Sequence, residues 1–129
     1  MPREILQPEG VFDPRPRYAH VAKSGRHVYV AGQLARDADG HIVGKGDIEK
    51  QARQVLDNIV RCLEAVGATL DDVVKLNVYS TDLDSHLPTI AKVRQEYFTT
   101  GAVPSTTVQI PRLLDPDFLL EIEAIAMVD

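Results

Sequence analysis

The sequence predicts an α+β fold, a mixed sheet carrying two helices on one face. Three observations predict it. Two stretches repeat apolar residues at helical spacing, four or five short stretches are β-branched or alternate in polarity, and the order is ββ-α-β-α-ββ. Two helices on one sheet face bury both apolar surfaces economically. With 129 residues, 44% hydrophobic and 26% charged, one domain over 1–129 is expected, with a core that needs no disulfide or metal.

Residues 1–16 hold Pro2, Pro8, Gly10, Pro14 and Pro16 and read as an irregular arm with room for one short strand. Residues 18–23 and 27–33 read as strands joined by Ser24-Gly25-Arg26, whose glycine suits a tight hairpin. A second turn signal, Asp39-Gly40, lies in the loop that follows. Asp47 is placed to cap a helix, with Glu49 in its first turn. Ile48, Ala52, Val55, Leu56, Ile59, Leu63 and Val66 then form one apolar face, and Gly67 ends it. Cys62 sits at the edge of that face and reads as a small buried hydrophobe. A β-branched strand is expected over 72–81. A second helix follows over 84–99, with Pro88 in its first turn, Ile90, Ala91, Val93, Tyr97 and Phe98 as its apolar side, and Gly101 beyond its end. Two strands, 105–111 and 118–128, close the chain.

Side chains alternate across a strand, so the last one has two distinct faces. Phe118, Leu120, Ile122, Ala124, Ala126 and Val128 should lie under the helices, and Glu121, Glu123, Ile125 and Met127 on the other side. Residue parity groups Lys75 with Asn77 and Tyr79, and Ser105 with Thr107 and Gln109, and both groups are expected on that second face. Its mixture of polar groups with Tyr, Ile and Met fits either open water or cover by another subunit.

Charge narrows the function. Fourteen basic against nineteen acidic residues give 14 − 19 = −5, with no Trp and only 4 Tyr and 3 Phe. A nucleic-acid binder needs a basic stripe or stacking platforms, so nucleic acid is not expected as a main partner. No apolar run approaches the roughly 18 residues of a membrane span. One cysteine, and no apolar segment behind Met1-Pro2-Arg3-Glu4, make a cytoplasmic setting the expectation. The histidines His20, His27, His41 and His86 have no metal-ligand spacing, and no Gly-rich phosphate loop or Ser-His-Asp arrangement stands out.

Three stretches carry a resemblance: Val30-Ala31-Gly32-Gln33; Ala65-Val66-Gly67-Ala68 with Leu70-Asp71-Asp72-Val73-Val74-Lys75; and Glu121-Ile122-Glu123-Ala124-Ile125-Ala126. In order and at this spacing, from about residue 15 to 128, they resemble the RidA (YjgF) family. The resemblance implies a chorismate-mutase-like fold and a homotrimer whose sheets form a central barrel. It also implies clefts between subunits that hydrolyse enamines and imines to keto acids and ammonia without metal or organic cofactor.

Residue by residue, the resemblance puts Tyr18 on the cleft tyrosine and Gly32 on the glycine whose backbone approaches the ligand. Glu121 falls on the carboxylate that orients the attacking water. Thr107 stands where a cysteine is often found, and Ser105 where the deaminase members carry an arginine. An arginine fork grips a carboxylate through two charge-assisted hydrogen bonds, whereas serine offers one neutral donor. The expected function is therefore that of a RidA-like protein acting on a small imine, enamine or related nitrogen metabolite, with 2-imino acid deaminase activity weak or absent. The alternative is a trimer that binds a metabolite or partner protein without chemistry; endoribonuclease or translation-inhibitor activity fits the charge poorly. Among other cations, Arg112 falls on the face opposite Ser105 by parity, Arg17 next to Tyr18 points away in a regular strand, and His20 shares a face with Tyr18.

Overall fold

The computed structural model describes residues 2–129; Met1, part of the expected N-terminal arm, lies outside the described residues. Its elements are β1 (Glu4–Leu6), β2 (Val21–Ser24), β3 (His27–Gln33), α1 (Ile48–Glu64), β4 (Val73–Ser80), α2 (Leu83–Tyr97), β5 (Ser105–Gln109) and β6 (Leu120–Met127). They build one six-stranded sheet in the order β1-β2-β3-β6-β4-β5, antiparallel throughout except for the parallel pair β4–β5. This is the mixed α+β architecture that the pattern predicts, with one strand more than the four or five expected. The extra strand is β1, three residues that carry almost no periodic signal and are held by pairing with β2.

Helix α1 begins as expected, with the Asp47 carboxylate accepting from Lys50 N–H at 3.1 Å. It ends at Glu64; beyond the cap Gly67 takes a φ of +73° that suits glycine, and Ala68 N–H bonds back to the Leu63 carbonyl at 2.9 Å. Ala52, Val55, Leu56, Ile59 and Leu63 pack on Val28, Val30, Leu120, Ile122 and Ala124, all buried, and form the core with Ile90 and Val93 of α2. Cys62 is fully buried among them, and burial pushes its thiol up to about 12, so it stays an unreactive hydrophobe. The division of β6 holds: Leu120, Ile122, Ala124 and Ala126 are buried under the helices, while Glu121, Glu123 and Ile125 are half-buried on the open face.

Three local expectations are corrected. Residues 18–20 lie outside β2, because pairing with β1 and β3 begins only at Val21. Pro88 is the sixth residue of α2, in its second turn, because the Asp82 carboxylate caps the helix by accepting from Ser85 N–H at 3.1 Å. The third concerns β5. Its register is Leu76↔Ser105, Val78↔Thr107 and Ser80↔Gln109, so Ser105, Thr107 and Gln109 share the helix-side face with buried Leu76 and Val78. Thr106 and Val108 take the open face beside Asn77 and Tyr79. Parity within one strand carries no information on its offset from a neighbour, and a parallel partner reached through a helix has no tight turn to set it. Among the described residues, no helix is long and apolar enough to cross a membrane.

Candidate active site

The site forms where β3 and β6 run side by side. The register passes from Val30↔Ala124 to Gln33↔Ile122, so β3 has one residue more than its partner, a bulge at Ala31-Gly32. Gly32 sits directly against Glu121. A Cβ built on Gly32 would lie 2.6 Å from Glu121 Cδ, 2.7 Å from Oε2 and 2.8 Å from Cγ. The missing side chain is what leaves the Glu121 carboxyl its place.

Two carboxylates project from β6 on this face, and their surroundings differ. Glu123 Oε1 accepts from the Tyr79 hydroxyl at 2.8 Å and from Asn77 Nδ2 at 3.1 Å. Glu121 is half-buried and has no hydrogen-bond donor within reach among the described residues. Burial and then the neighbouring Glu123 charge raise the pKa of Glu121, against a smaller lowering by Arg36. A carboxylate that is partly desolvated, without a protein donor and held more basic than usual is equipped to take a proton from a water.

Tyr18 stands at the rim, in the irregular stretch before β2. Its hydroxyl oxygen accepts a 2.6 Å hydrogen bond from Arg36 Nη2, and its ring meets His20 edge-on with centroids 5.8 Å apart. Arg36 lies in the loop after β3, with its guanidinium carbon 4.7 Å from the centre of the Phe12 ring and 5.9 Å from that of Phe118. Buried amides of α1 hold the two segments that flank the site. Asn58 Nδ2 donates to the Leu34 and Arg36 carbonyls, both at 3.1 Å, fixing the loop that presents Arg36. Gln51 donates to the Asp117 carbonyl and accepts from Leu119 N–H, both at 2.8 Å, fixing the approach to Glu121.

The structure sets Gly32 against Glu121, ties Tyr18 to Arg36 in the loop that follows β3, and leaves Ser105 and Thr107 out of this region. Those two project from the opposite sheet face, on an edge strand separated from β6 by β4. Ser105 is exposed, and its hydroxyl oxygen accepts from Arg94 Nη1 of α2 at 3.2 Å. Of the alternative cations, His20 is buried, with its Nε2 2.6 Å from the Phe12 carbonyl and its Nδ1 3.0 Å from Gln33 Nε2. Burial lowers its pKa and so favours the neutral ring. Arg17 is exposed in a turn before Tyr18, and Arg112 donates only to the carbonyls of Leu113 and Leu114. The cation bonded to Tyr18 is Arg36, which no pattern in the sequence marks. It follows the strand end by three residues, where alternation no longer tells direction.

The Endoribonuclease L-PSP family model matches residues 10–128. The chain belongs to the RidA (YjgF/RutC) family. Among RidA-family relatives, a RutC family protein of Pyrococcus horikoshii is 38% identical over 96% of this chain and 97% of its own. The 3-aminoacrylate deaminase RutC of Acinetobacter baylyi is 36% identical over 99% of this chain and 100% of its own. The crystal structure of Escherichia coli TdcF with bound serine superposes with a TM-score of 0.89, at 29% identity, over 98% of this chain and 99% of its own. The RidA fold expected from the three sequence stretches is the fold observed.

Proposed function

We propose that this chain is a hydrolase of small imines and enamines, working as a homotrimer of single domains spanning 1–129, with each cleft shared by two subunits. One observation carries the reading: Glu121, a raised-pKa carboxyl without a protein hydrogen-bond donor among the described residues, lies against the bare Gly32 backbone. In this scheme the Glu121 carboxylate accepts a proton from water while the water oxygen bonds to the imine carbon. The Glu121 carboxyl returns that proton to the nitrogen, and the resulting aminoalcohol passes its hydroxyl proton to the amine as the C–N bond breaks, leaving a carbonyl compound and ammonia. An enamine enters the same path after protonation at carbon. The relative named 3-aminoacrylate deaminase supports an enamine as substrate class. No step calls for a metal or organic cofactor, and a cytoplasmic setting goes with the single buried thiol.

Two features support assembly. The open sheet face exposes Tyr29, Ile5, Val108 and Met127 around a depression of about 320 Å³ lined by Asn77, Glu123 and Ile125, among others. The two sets of site residues also occupy opposite faces of one chain's sheet, so only a second chain can bring Ser105 and Thr107 toward Glu121.

Ser105 limits the chemistry. 2-Imino acids should be hydrolysed slowly, because a hydroxyl does not supply the bidentate charged grip. The test is ammonia release from 2-iminopropionate. Ser105→Arg should raise the rate about tenfold, which corresponds to ~1.4 kcal/mol at the barrier. The variant is made alone and with Arg94→Ser, which removes the like charge now bonded to the serine. No hydrolysis by wild type or variants, with the fold intact, would leave a binding protein without chemistry.

A further inference from the structure

We infer that Arg36 is the anion-binding residue of this site, so that the favoured ligand is a small carboxylate held beside Tyr18 and Glu121. The substrate part of the inference rests on the hydrolase reading; the binding part does not.

Arg36 differs from the chain's paired arginines. Arg15 is bonded to Asp13 at 2.6 Å, Arg53 to Glu96 at 2.7 Å and to Glu49 at 3.2 Å, and Arg26 lies 3.7 Å from Asp129. No carboxylate lies within 4.0 Å of the Arg36 guanidinium among the described residues. Its neighbours are two aromatic rings and one phenol. Ring faces hold a guanidinium by its plane and leave the N–H groups on its edge directed outward. Only Nη2 is engaged by a side chain, and that contact has a further effect. The Tyr18 oxygen accepts from Arg36, so the phenol's own proton is free to donate elsewhere. The arrangement is a charged donor and a neutral donor side by side, the pattern that suits the two oxygens of a carboxylate.

The loop is also built to keep this geometry. The Arg36 carbonyl is held by buried Asn58, and Arg36 pairs with Ile42 across the turn after β3. A guanidinium fixed at backbone and ring loses little freedom when an anion arrives. Its link to the site runs through Tyr18, whose hydroxyl oxygen it holds at 2.6 Å. Arg36 is near enough to Glu121 to lower that group's pKa, yet forms no ion pair with it. In the inferred binding mode a ligand's anionic end meets Arg36 and its reacting carbon meets the water on Glu121. Within one chain Ser105 lies on the other sheet face, so Arg36 and Ser105 mark different points for a carboxylate. Arg36 accounts for whatever rate the wild-type chain shows on carboxylated imines and sets its preference for them over uncharged ones.

The test uses the full-length protein and three variants, Arg36→Gln, Arg36→Lys and Tyr18→Phe, each checked for native circular dichroism and assembly mass. Pyruvate, titrated against the protein by NMR, measures binding without chemistry. Arg36→Gln should weaken it about tenfold or more, the loss of one charged contact. Arg36→Lys should recover part of that, and Tyr18→Phe should weaken binding by less than Arg36→Gln. Hydrolysis of 2-iminopropionate is then compared with that of 2-iminopropionamide, of the same shape and uncharged. For Arg36→Gln, KM for the carboxylate should rise about tenfold, while kcat/KM for the amide changes less than about twofold. Unchanged pyruvate affinity in Arg36→Gln, or no pyruvate binding by the wild type, overturns the inference. So does an equal loss on both substrates, which marks a structural role. Pyruvate binding that depends on Arg36, without imine hydrolysis, keeps the anion site and sinks only the hydrolase reading.

Discussion

Glu121→Gln is expected to lower imine hydrolysis by roughly 100- to 10,000-fold, the range a positioned general base contributes. The substitution keeps the shape that fills the space over Gly32 and removes only the ability to take a proton. The pH dependence follows from the direction of the shift. Burial and Glu123 raise the pKa of Glu121, so the rate of the wild type should fall as pH drops through that raised value, and this acid limb should vanish in Glu121→Gln. Stability moves the other way. A carboxyl with a folded pKa above its unfolded one contributes most below the unfolded pKa, and that contribution is lost as pH rises through the folded pKa. At neutral pH the ionised side chain therefore burdens the fold, and Glu121→Gln should unfold at the same urea concentration as wild type or a higher one. Loss of activity together with loss of stability would instead mark Glu121 as a structural residue.

Gly32→Ala should also be severe for activity and mild for the fold. The added methyl would lie within 2.8 Å of three Glu121 side-chain atoms, so the carboxyl must move. The obstructed group is the far end of a flexible side chain, and Gly32 does not adopt the positive φ that strains alanine. The structural cost is correspondingly small. Catalysis is less tolerant, because a displacement on the order of 1 Å can cost about 100-fold. A fall of about 10- to 100-fold is expected, with the urea midpoint almost unchanged. In the Glu121→Gln background the same change should cost less than about twofold, because both substitutions act on one unit. Equal losses in both backgrounds would show that Gly32 acts apart from Glu121, for instance through its own backbone.

What the sequence discloses and what it hides divides along physical lines. The face of α1 and the two faces of β6 are legible because long periodic runs repeat one simple rule, inward apolar and outward polar, until chance is unlikely. Asp47 and Gly67 are legible because capping and left-handed backbone demand particular residue types. The site residues Tyr18, Gly32 and Glu121 enter through the family resemblance, and the contact of Gly32 with Glu121 lies at a bulge whose only mark is a glycine in a strand. Three things are hidden. The register of β5 against β4 depends on the length and tilt of the intervening helix, so Ser105 and Thr107 were expected on the wrong face. Gln51 and Asn58 look like solvated polar residues, yet both are buried, because loop carbonyls distant in sequence meet them there. Arg36 stands in a loop, where direction is set by tertiary contacts to Phe12, Tyr18 and Asn58 rather than by local pattern.

The central claim is that the cleft is complete only between chains, and sedimentation equilibrium at micromolar concentration tests it most directly. The two sets of site residues lie on opposite faces of one sheet, and the face that carries Glu121 exposes Tyr29 and Met127. A single species of three times the 14.2 kDa chain mass is the expected result. A stable, well-folded monomer that still hydrolyses imines at the same rate per chain would contradict it.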